Sequence, residues 1–552
     1  MKICKKTGLV MLSIVSALCL YAQNAEEVEE ISLPDVSTVI SGGAPKVGKS
    51  AVSDFTDVLP SADEKIENVI PQLPEASDAG SLNSDSVVTV APEKTIYVEG
   101  LAGGGYPGYI TGNFKIYRQT GYSPFRVEFG HESANGYSGR SLTSAFYDRE
   151  TFIAAEKTFQ LKKSKLELSA AFESDDDGLQ NCVEDISSVT KENLGGGVKW
   201  ETELGKGFGF GAGAEAGWYK RYATVTDSAL AIEEYAENVS FLELNPELYF
   251  TWEKGNFSSK LSANYGLQYD IKNCLYGDAS LNRGDFELSA GWKNDVISAF
   301  ASAGVIVGNR IGDNSVVVPF EAGVDFSFAS KISSRRITMG MKGGMESEIL
   351  KISDAERLYK FSAFSVLPEE TSSWFGKIDL ALPIKDRFTL TFDCEFKTTA
   401  YKNGVIMPDY DSSAAINTIF GQYLYEQKDT TQFNTGLDFA VRIGLLNLSA
   451  EWKAFWIDVP ALEAKQFAGV RASIQSKSSK FGLEAGAGLS MDPDDDNTPD
   501  LDVSAFCRLT PAVRLAVSAD DVVKLITGEE RDYAGEYISR SGTASVLVKF
   551  FF

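Results

Sequence analysis

His131 is the single histidine of the chain, and it stands beside Glu132 and Ser133, residue types that together could do hydrolytic chemistry. On an extended strand adjacent side chains point to opposite faces, so His131 and Ser133 share a side and Glu132 does not. No general acid–base arrangement follows, and no enzyme activity is expected. A lone histidine also excludes a His-cluster metal site. Asp492, Asp494, Asp495, Asp496, Asp500 and Asp502 present the carboxylate oxygens that Ca²⁺ prefers. They lack the glycine and closing glutamate of a twelve-residue calcium loop, and Pro493 and Pro499 suit an exposed hairpin tip. Asp175 to Asp177 read the same way. The glycines of Gly207 to Gly213 superficially suggest a phosphate-binding loop. Their spacing is period two with no helix signal after it, so small strand residues are expected. No cofactor and no metal are expected.

The remaining chemistry lies in alternating rows. From Arg387 to Lys397, Phe388, Leu390, Phe392, Cys394 and Phe396 fall on one face, with Asp393, Glu395 and Lys397 on the other. Phe125, Val127 and Phe129 oppose Arg126 and Glu128. Leu166, Leu168, Ala170 and Phe172 oppose Lys165 and Glu167. Leu446, Leu448, Ala450 and Trp452 oppose Glu451 and Lys453. Strict alternation means strands with one apolar and one polar face. Many segments run about 10–14 residues, longer than soluble strands and matching a tilted membrane crossing. The charged row then lines a hydrated lumen, and its mixed signs give no strong ion preference.

The turns count the strands. Tight links fall near Gly121–Pro124, Lys162–Ser164, Gly205–Gly207, Lys254–Asn256, Asn294–Asp295, Lys331–Ser334, Pro383–Asp386, Gly444–Leu445, Lys477–Ser479 and Leu509–Pro511. Long polar connections lie between them: Glu132–Glu150, Ser174–Asn193, Thr399–Thr430 and Gly528–Ser541. Ten turns joining two strands each, with a first strand near Lys94–Gly103 and a last at Gly542–Phe552, predict about 22 strands, within 18–24. The fold class is therefore all-β: a transmembrane antiparallel up-and-down barrel over 94–552 with both termini periplasmic. Leu350–Leu367 fits the pattern least. Trp218, Trp252, Trp292, Trp374, Trp452 and Trp456 sit near strand ends, as an interfacial belt would.

The last strand puts Ala544, Val546, Val548, Phe550 and Phe552 on one face. It must close the sheet, because an open edge in hydrocarbon leaves peptide groups unpaired. Its terminal Phe with an aromatic two positions earlier resembles the signal read by barrel-assembly machinery. That machinery and outer-membrane lipid are the expected partners.

Composition agrees with export rather than nucleic-acid binding. The net charge of −25 repels phosphate backbones, so no nucleic acid is expected. Lys2, Lys5 and Lys6 precede the apolar Gly8 to Leu20, with a cut after Ala22, which reads as a signal peptide over 1–22. Cys19 raises lipidation as a rival, against which Leu18 is the wrong preceding residue. The leader sends the chain to the outer membrane of a diderm bacterium. Cys182, Cys274, Cys394 and Cys507 then remain, and the sequence chooses no pairing. Residues 23–93 hold fourteen acidic residues against Lys46, Lys49 and Lys65, a balance of −11, with Phe55 the one aromatic. That segment is expected to be largely disordered. It serves as a spacer, or docks a periplasmic partner through Glu29, Glu30, Ile31, Leu33, Val36, Val39 and Ile40 by adding a strand to a sheet edge.

Two stretches carry a family resemblance. Asp520-Asp521-Val522, Arg531-Asp532-Tyr533 and Arg540-Ser541-Gly542 lead into the closing strand as the last hairpin of TonB-dependent receptor barrels does. Phe125 to Glu150, with Gly130-His131-Glu132-Ser133-Ala134-Asn135-Gly136, resembles an early strand and loop of such barrels, and Glu29-Glu30-Ile31 is similar to their partner-engaging segment. The resemblance implies uptake or passage of a solute with a TonB-like periplasmic partner. Such receptors carry a folded plug of well over a hundred residues, whereas here the acidic segment of roughly 70 residues takes its place, so the resemblance implies the barrel without its plug. Two other readings stand beside it: a non-transporting surface adhesin or envelope scaffold, and a channel for apolar substrates similar to the fatty-acid transporters.

Overall fold

In the computed structural model, alternation becomes a closed cylinder because every second side chain is apolar and faces away from the lumen. The structure describes residues 96–551, except 119–122, 137–139, 141–144, 184–185, 226–238, 273–279, 310–315, 331–332, 385–386, 400–404, 411–420, 461, 492–498 and 541. The barrel begins with β1 (Tyr97–Tyr106), β2 (Tyr109–Arg118), β3 (Phe125–Asn135), β4 (Tyr147–Gln160), β5 (Ser164–Gly178) and β6 (Ile186–Gly205). It continues with β7 (Phe208–Val225), β8 (Val239–Lys254), β9 (Phe257–Asp270), β10 (Ser280–Lys293), β11 (Ile297–Gly308) and β12 (Phe320–Ala329). Next come β13 (Arg336–Glu348), β14 (Thr371–Ile384), β15 (Phe388–Thr399), β16 (Thr431–Ile443) and β17 (Leu446–Phe455). The last are β18 (Gln466–Gln475), β19 (Phe481–Met491), β20 (Pro499–Thr510), β21 (Val513–Asp520) and β22 (Thr543–Phe551).

Each strand pairs antiparallel with its chain neighbours, and β22 pairs with both β21 and β1, so the sheet has no open edge. Phe550 stands between Val513 and Gly100 in that closing register. The 22 strands lie where the sequence places them, and so do the seven tight turns that fall wholly among the described residues; Gly121–Pro124, Lys331–Ser334 and Pro383–Asp386 lie partly outside them. Both ends of the barrel chain, Tyr97 and Phe551, are at the short-turn end. Phe552 lies outside the described residues.

The outward row of β7 runs Phe208, Phe210, Ala212, Ala214, Ala216 and Trp218 before turning polar at Lys220. Ten steps of ~3.3 Å, tilted by ~40°, give a band roughly 25 Å tall, the height of an outer-membrane hydrocarbon layer. Phe208 stands opposite Trp252, and Trp292 opposite Phe257, at one border of that band. Strands β6, β7 and β8 have 20, 18 and 16 residues and project well past the other border.

One expectation needs correction. Ser174–Asn193 is mostly strand, because β5 and β6 stay paired up to Gly178 and Ser188 and leave a link at 179–185. Polarity misled there: beyond the apolar band both faces of a strand are wet or packed on loops. After β21 the chain turns into a short helix, α2 (Val522–Thr527), with the Asp521 side chain accepting from the Lys524 amide at 3.3 Å.

A loop-built cap over an acidic chamber

The connection 349–370, where alternation fails, holds the helix α1 (Ile352–Leu358), which precedes α2 in the chain. Seven residues cannot hold a helix alone, and α1 is fixed by burial instead. Ile352 and Ala355 are fully buried with Phe364 and Leu367 against Tyr219, Val239 and Phe241, on the inner faces of β7 and β8, and Leu281 of β10. Phe361 joins a second cluster with Leu179, Val189, Tyr423 and Tyr537. Its ring stacks on Tyr537 at 3.9 Å, and Phe364 stacks on Tyr425 at 3.8 Å. These contacts tie three long connections into one cap: 349–370, the 400–430 connection with its strand Tyr423–Lys428, and the hairpin that includes Tyr537–Ser539. Burial pushes the Tyr533 phenol up to about 12, despite nearby Lys360.

Charge pairs across this contact run in both directions. The wall offers cations to Glu356: Arg221 donates to its carboxylate, Lys191 to its backbone carbonyl, and Tyr219 donates its hydroxyl at 2.5 Å. Glu356 also accepts from the Phe364 amide at 2.8 Å. Arg221 is 1% and Glu356 0% exposed, so neither charge reaches water. The cap in turn offers cations to acids of β3–β5. Arg357 pairs with Asp175 at 2.7 Å and with Glu173, and Lys360 with Asp177 at 3.1 Å and Asp148 at 3.5 Å. Arg540 pairs with Glu132 at 3.0 Å and Asp148 at 3.7 Å. Burial works against the charge on Arg540, but Asp148 and Glu132 outweigh it and raise its pKa.

A cavity of about 520 Å³ lies along the inner wall of β4–β10. Its inward-facing lining carries Glu156, Glu167, Glu215, Glu247 and Asp285 against Lys199 and Arg283, with Asn245 and Asn264 between. Arg283 links chamber to cap: it meets Asp285 at 3.5 Å and donates to Glu370 at 3.1 Å and to the Ser347 carbonyl at 3.3 Å. Gly211 and Gly213 flatten the wall here. A Cβ on Gly211 would fall 2.1 Å from the Tyr249 ring, which crosses it.

The charged residues read from the sequence lie on the inward row but do not converge. Arg126 pairs with Glu128, Lys165 with Glu167 at 2.5 Å, Lys397 with Glu346 at 2.6 Å, and Lys453 with Glu463 at 3.5 Å. Asp393 and Glu395 face β14 and β16, and Glu451 lies opposite Gly469. Glu167 alone of that set lines the chamber. Ala544, Val546, Val548 and Phe550 line the outward face of β22. Glu29, Glu30, Ile31, Leu33, Val36, Val39 and Ile40 lie outside the described residues. Sequence reasoning missed Lys191, Arg221, Arg283, Glu356 and Arg357, and its one signal was the broken alternation around 350–367. Among the described cysteines, Cys182, Cys394 and Cys507 are free.

No family model matches the chain, and no curated protein sequence does. Solved structures do. The ferric enterobactin receptor PfeA of Pseudomonas aeruginosa aligns over 83% of this chain and 80% of its own, at 10% identity and a TM-score of 0.59. The FrpB iron transporter of Neisseria meningitidis aligns over 84% and 82%, at 9% identity and 0.61. The siderophore receptor PiuA of Acinetobacter baumannii aligns over 83% and 82%, at 12% identity and 0.57. The chain thus has the 22-strand barrel fold of TonB-dependent receptors, and among its described residues the structure in the barrel mouth is the loop-built cap rather than a plug domain.

Proposed function

We propose that this protein is an outer-membrane barrel for solute uptake in a diderm bacterium, with the cap as its outer closure and the acidic chamber as its solute site. The carrying observation is the cap itself: a buried Arg221–Glu356 pair and two apolar clusters hold three loops across the inner wall above a polar cavity. A surface scaffold has no need of such a chamber. Its carboxylates, of which Glu167, Glu247 and Asp285 are paired with Lys165, Lys260 and Arg283, favour a polar solute and set the apolar-channel reading lower. In this reading the short-turn end faces the periplasm, and the segment around Glu29 to Ile40 engages a TonB-like partner there, as the fold likeness to receptors of that class supports.

Planar-bilayer conductance tests the closure. The intact protein is expected to stay shut, and replacing 351–367 by a short Gly-Ser linker should give large stable openings. Silence in both would leave the adhesin or scaffold reading. Deleting 26–40 should abolish recovery of a periplasmic partner while sparing the barrel, and unchanged recovery would reduce the segment to a spacer.

A further inference from the structure

Two cations sit on the outer, lipid-facing side of the wall near the short turns. Arg118 ends β2 in register with Phe125 of β3, and Phe125 is in register with Lys157 of β4. Residues directly opposite one another share a face of the sheet, and Phe125 belongs to the apolar outward row. Lys157 is also in register with Leu168 of β5, which is 41% exposed on that outer face. Along β4, Ile153 and Ala155 precede Lys157 on its own face and Phe159 follows it. A charged side chain among such neighbours is costly unless its stem carries the head out to the headgroup layer. Both side chains take that posture. The Lys157 ammonium lies 5.0 Å from the ring centre of Phe159, one step nearer the turn. The Arg118 guanidinium lies 5.7 Å from the ring centre of Phe125 and donates to the Ser123 carbonyl at 3.2 Å. Neither forms an ion pair among the described residues.

Outward cations at the long-loop end are treated differently. Arg149 of β4 pairs with Asp176 of β5 at 3.6 Å, and Lys220 of β7 is in register with Glu192 of β6. There the outer face carries its own anions. Around Arg118 and Lys157 the outward neighbours are Ile116, Val127, Ala155, Phe159 and Leu168, and the link Gln119 to Ser123 contains no acidic residue. Strands β2 and β4 are two spacings apart, about 10 Å, so two long side chains can close on one anion over the Phe125 ring. We propose that Arg118 and Lys157 bind the phosphate of an anionic phospholipid, with its acyl chains lying on Phe125, Val127 and Leu168. A zwitterionic headgroup fits less well, because it brings an ammonium beside the two cations. The site is on the outside of the barrel, away from the chamber, and it stands whether or not the barrel conducts.

Native mass spectrometry of the full chain in a neutral detergent, titrated with phosphatidylglycerol or with phosphatidylcholine of the same acyl chains, tests this. Each basic residue at a headgroup layer is worth about fivefold in affinity for anionic lipid, so the native chain should bind phosphatidylglycerol roughly tenfold or more tightly than phosphatidylcholine. That preference should vanish in R118Q/K157Q and persist in R149Q/K220Q. Heat-modifiable mobility checks that each variant barrel is intact. Should R118Q/K157Q not assemble, K157Q alone, at an exposed position, is expected to cut the preference about fivefold. Equal binding of the two lipids by the native chain would overturn the proposal, leaving two cations that only reach toward the water. A preference undiminished in R118Q/K157Q or K157Q, or lost in R149Q/K220Q, would overturn it by placing the anionic lipid elsewhere on the barrel.

Discussion

The two ends of the lumen treat buried charge in opposite ways. At the long-loop end charges are answered across the cap contact: Arg221 and Lys191 converge on Glu356, while Arg357, Lys360 and Arg540 answer the acids of β3–β5. At the short-turn end Arg514 is 9% exposed against 1% for Arg221, and it stacks on Phe506 without forming an ion pair among the described residues. The pairing depends on what covers the wall. Where the barrel's own loops fold inward they bring the counter-charges. Where the turns are too short to reach inward, any counter-charge has to come from elsewhere in the chain or from a partner. The two ends should therefore respond differently to loss of a charge.

The largest effect is expected at the short-turn end, in the closing strand. Deleting 550–552 removes Phe550 from between Val513 and Gly100 and should abolish assembly; recovery of a heat-modifiable barrel would separate closure from these residues. At the cap, Glu356→Ala leaves Arg221 buried and unpaired, at a cost of about 3–5 kcal/mol. An R221M/E356L pair should recover most of that, as read by thermal unfolding in detergent. The contrast is sharpest with Arg514→Met. Removing a charge that makes no ion pair should leave stability unchanged or raise it by about 1 kcal/mol or more, whereas Arg221→Met should lower it. Equal destabilisation by both would break the comparison.

Smaller effects grade the cap. Arg357 is 20% exposed, so Arg357→Ala should cost only about 1 kcal/mol. Cys182, in the link between β5 and β6, reports cap integrity without altering it. Burial, and then the charge of Glu536, push its thiol up to about 11. A raised thiol pKa keeps the neutral form below that value, so at pH 8 about a thousandth is thiolate. Iodoacetamide labelling should be slow at pH 8 and rise about tenfold per pH unit toward 11. Fast labelling at pH 8 in the native chain would mean the cap does not pack as described, and accelerated labelling is expected in Glu356→Ala.

The sequence by itself determined the cylinder. Alternation is a two-residue property, the tight turns carry their own Gly, Asn, Asp and Pro signals, and the closing row from Ala544 to Phe550 is written in one strand. Local patterns of that kind survive without knowledge of the partner strand, which is why the strand number could be counted. The tertiary structure alone decided the cap and the charge rows. Arg221 and Glu356 are 135 residues apart, and Arg508, Arg514 and Lys549 become neighbours only through register across three strands. Nothing in a period-two pattern says which inward charge will face which, because that depends on pairing, stagger and the path of loops whose own sequences have no period at all.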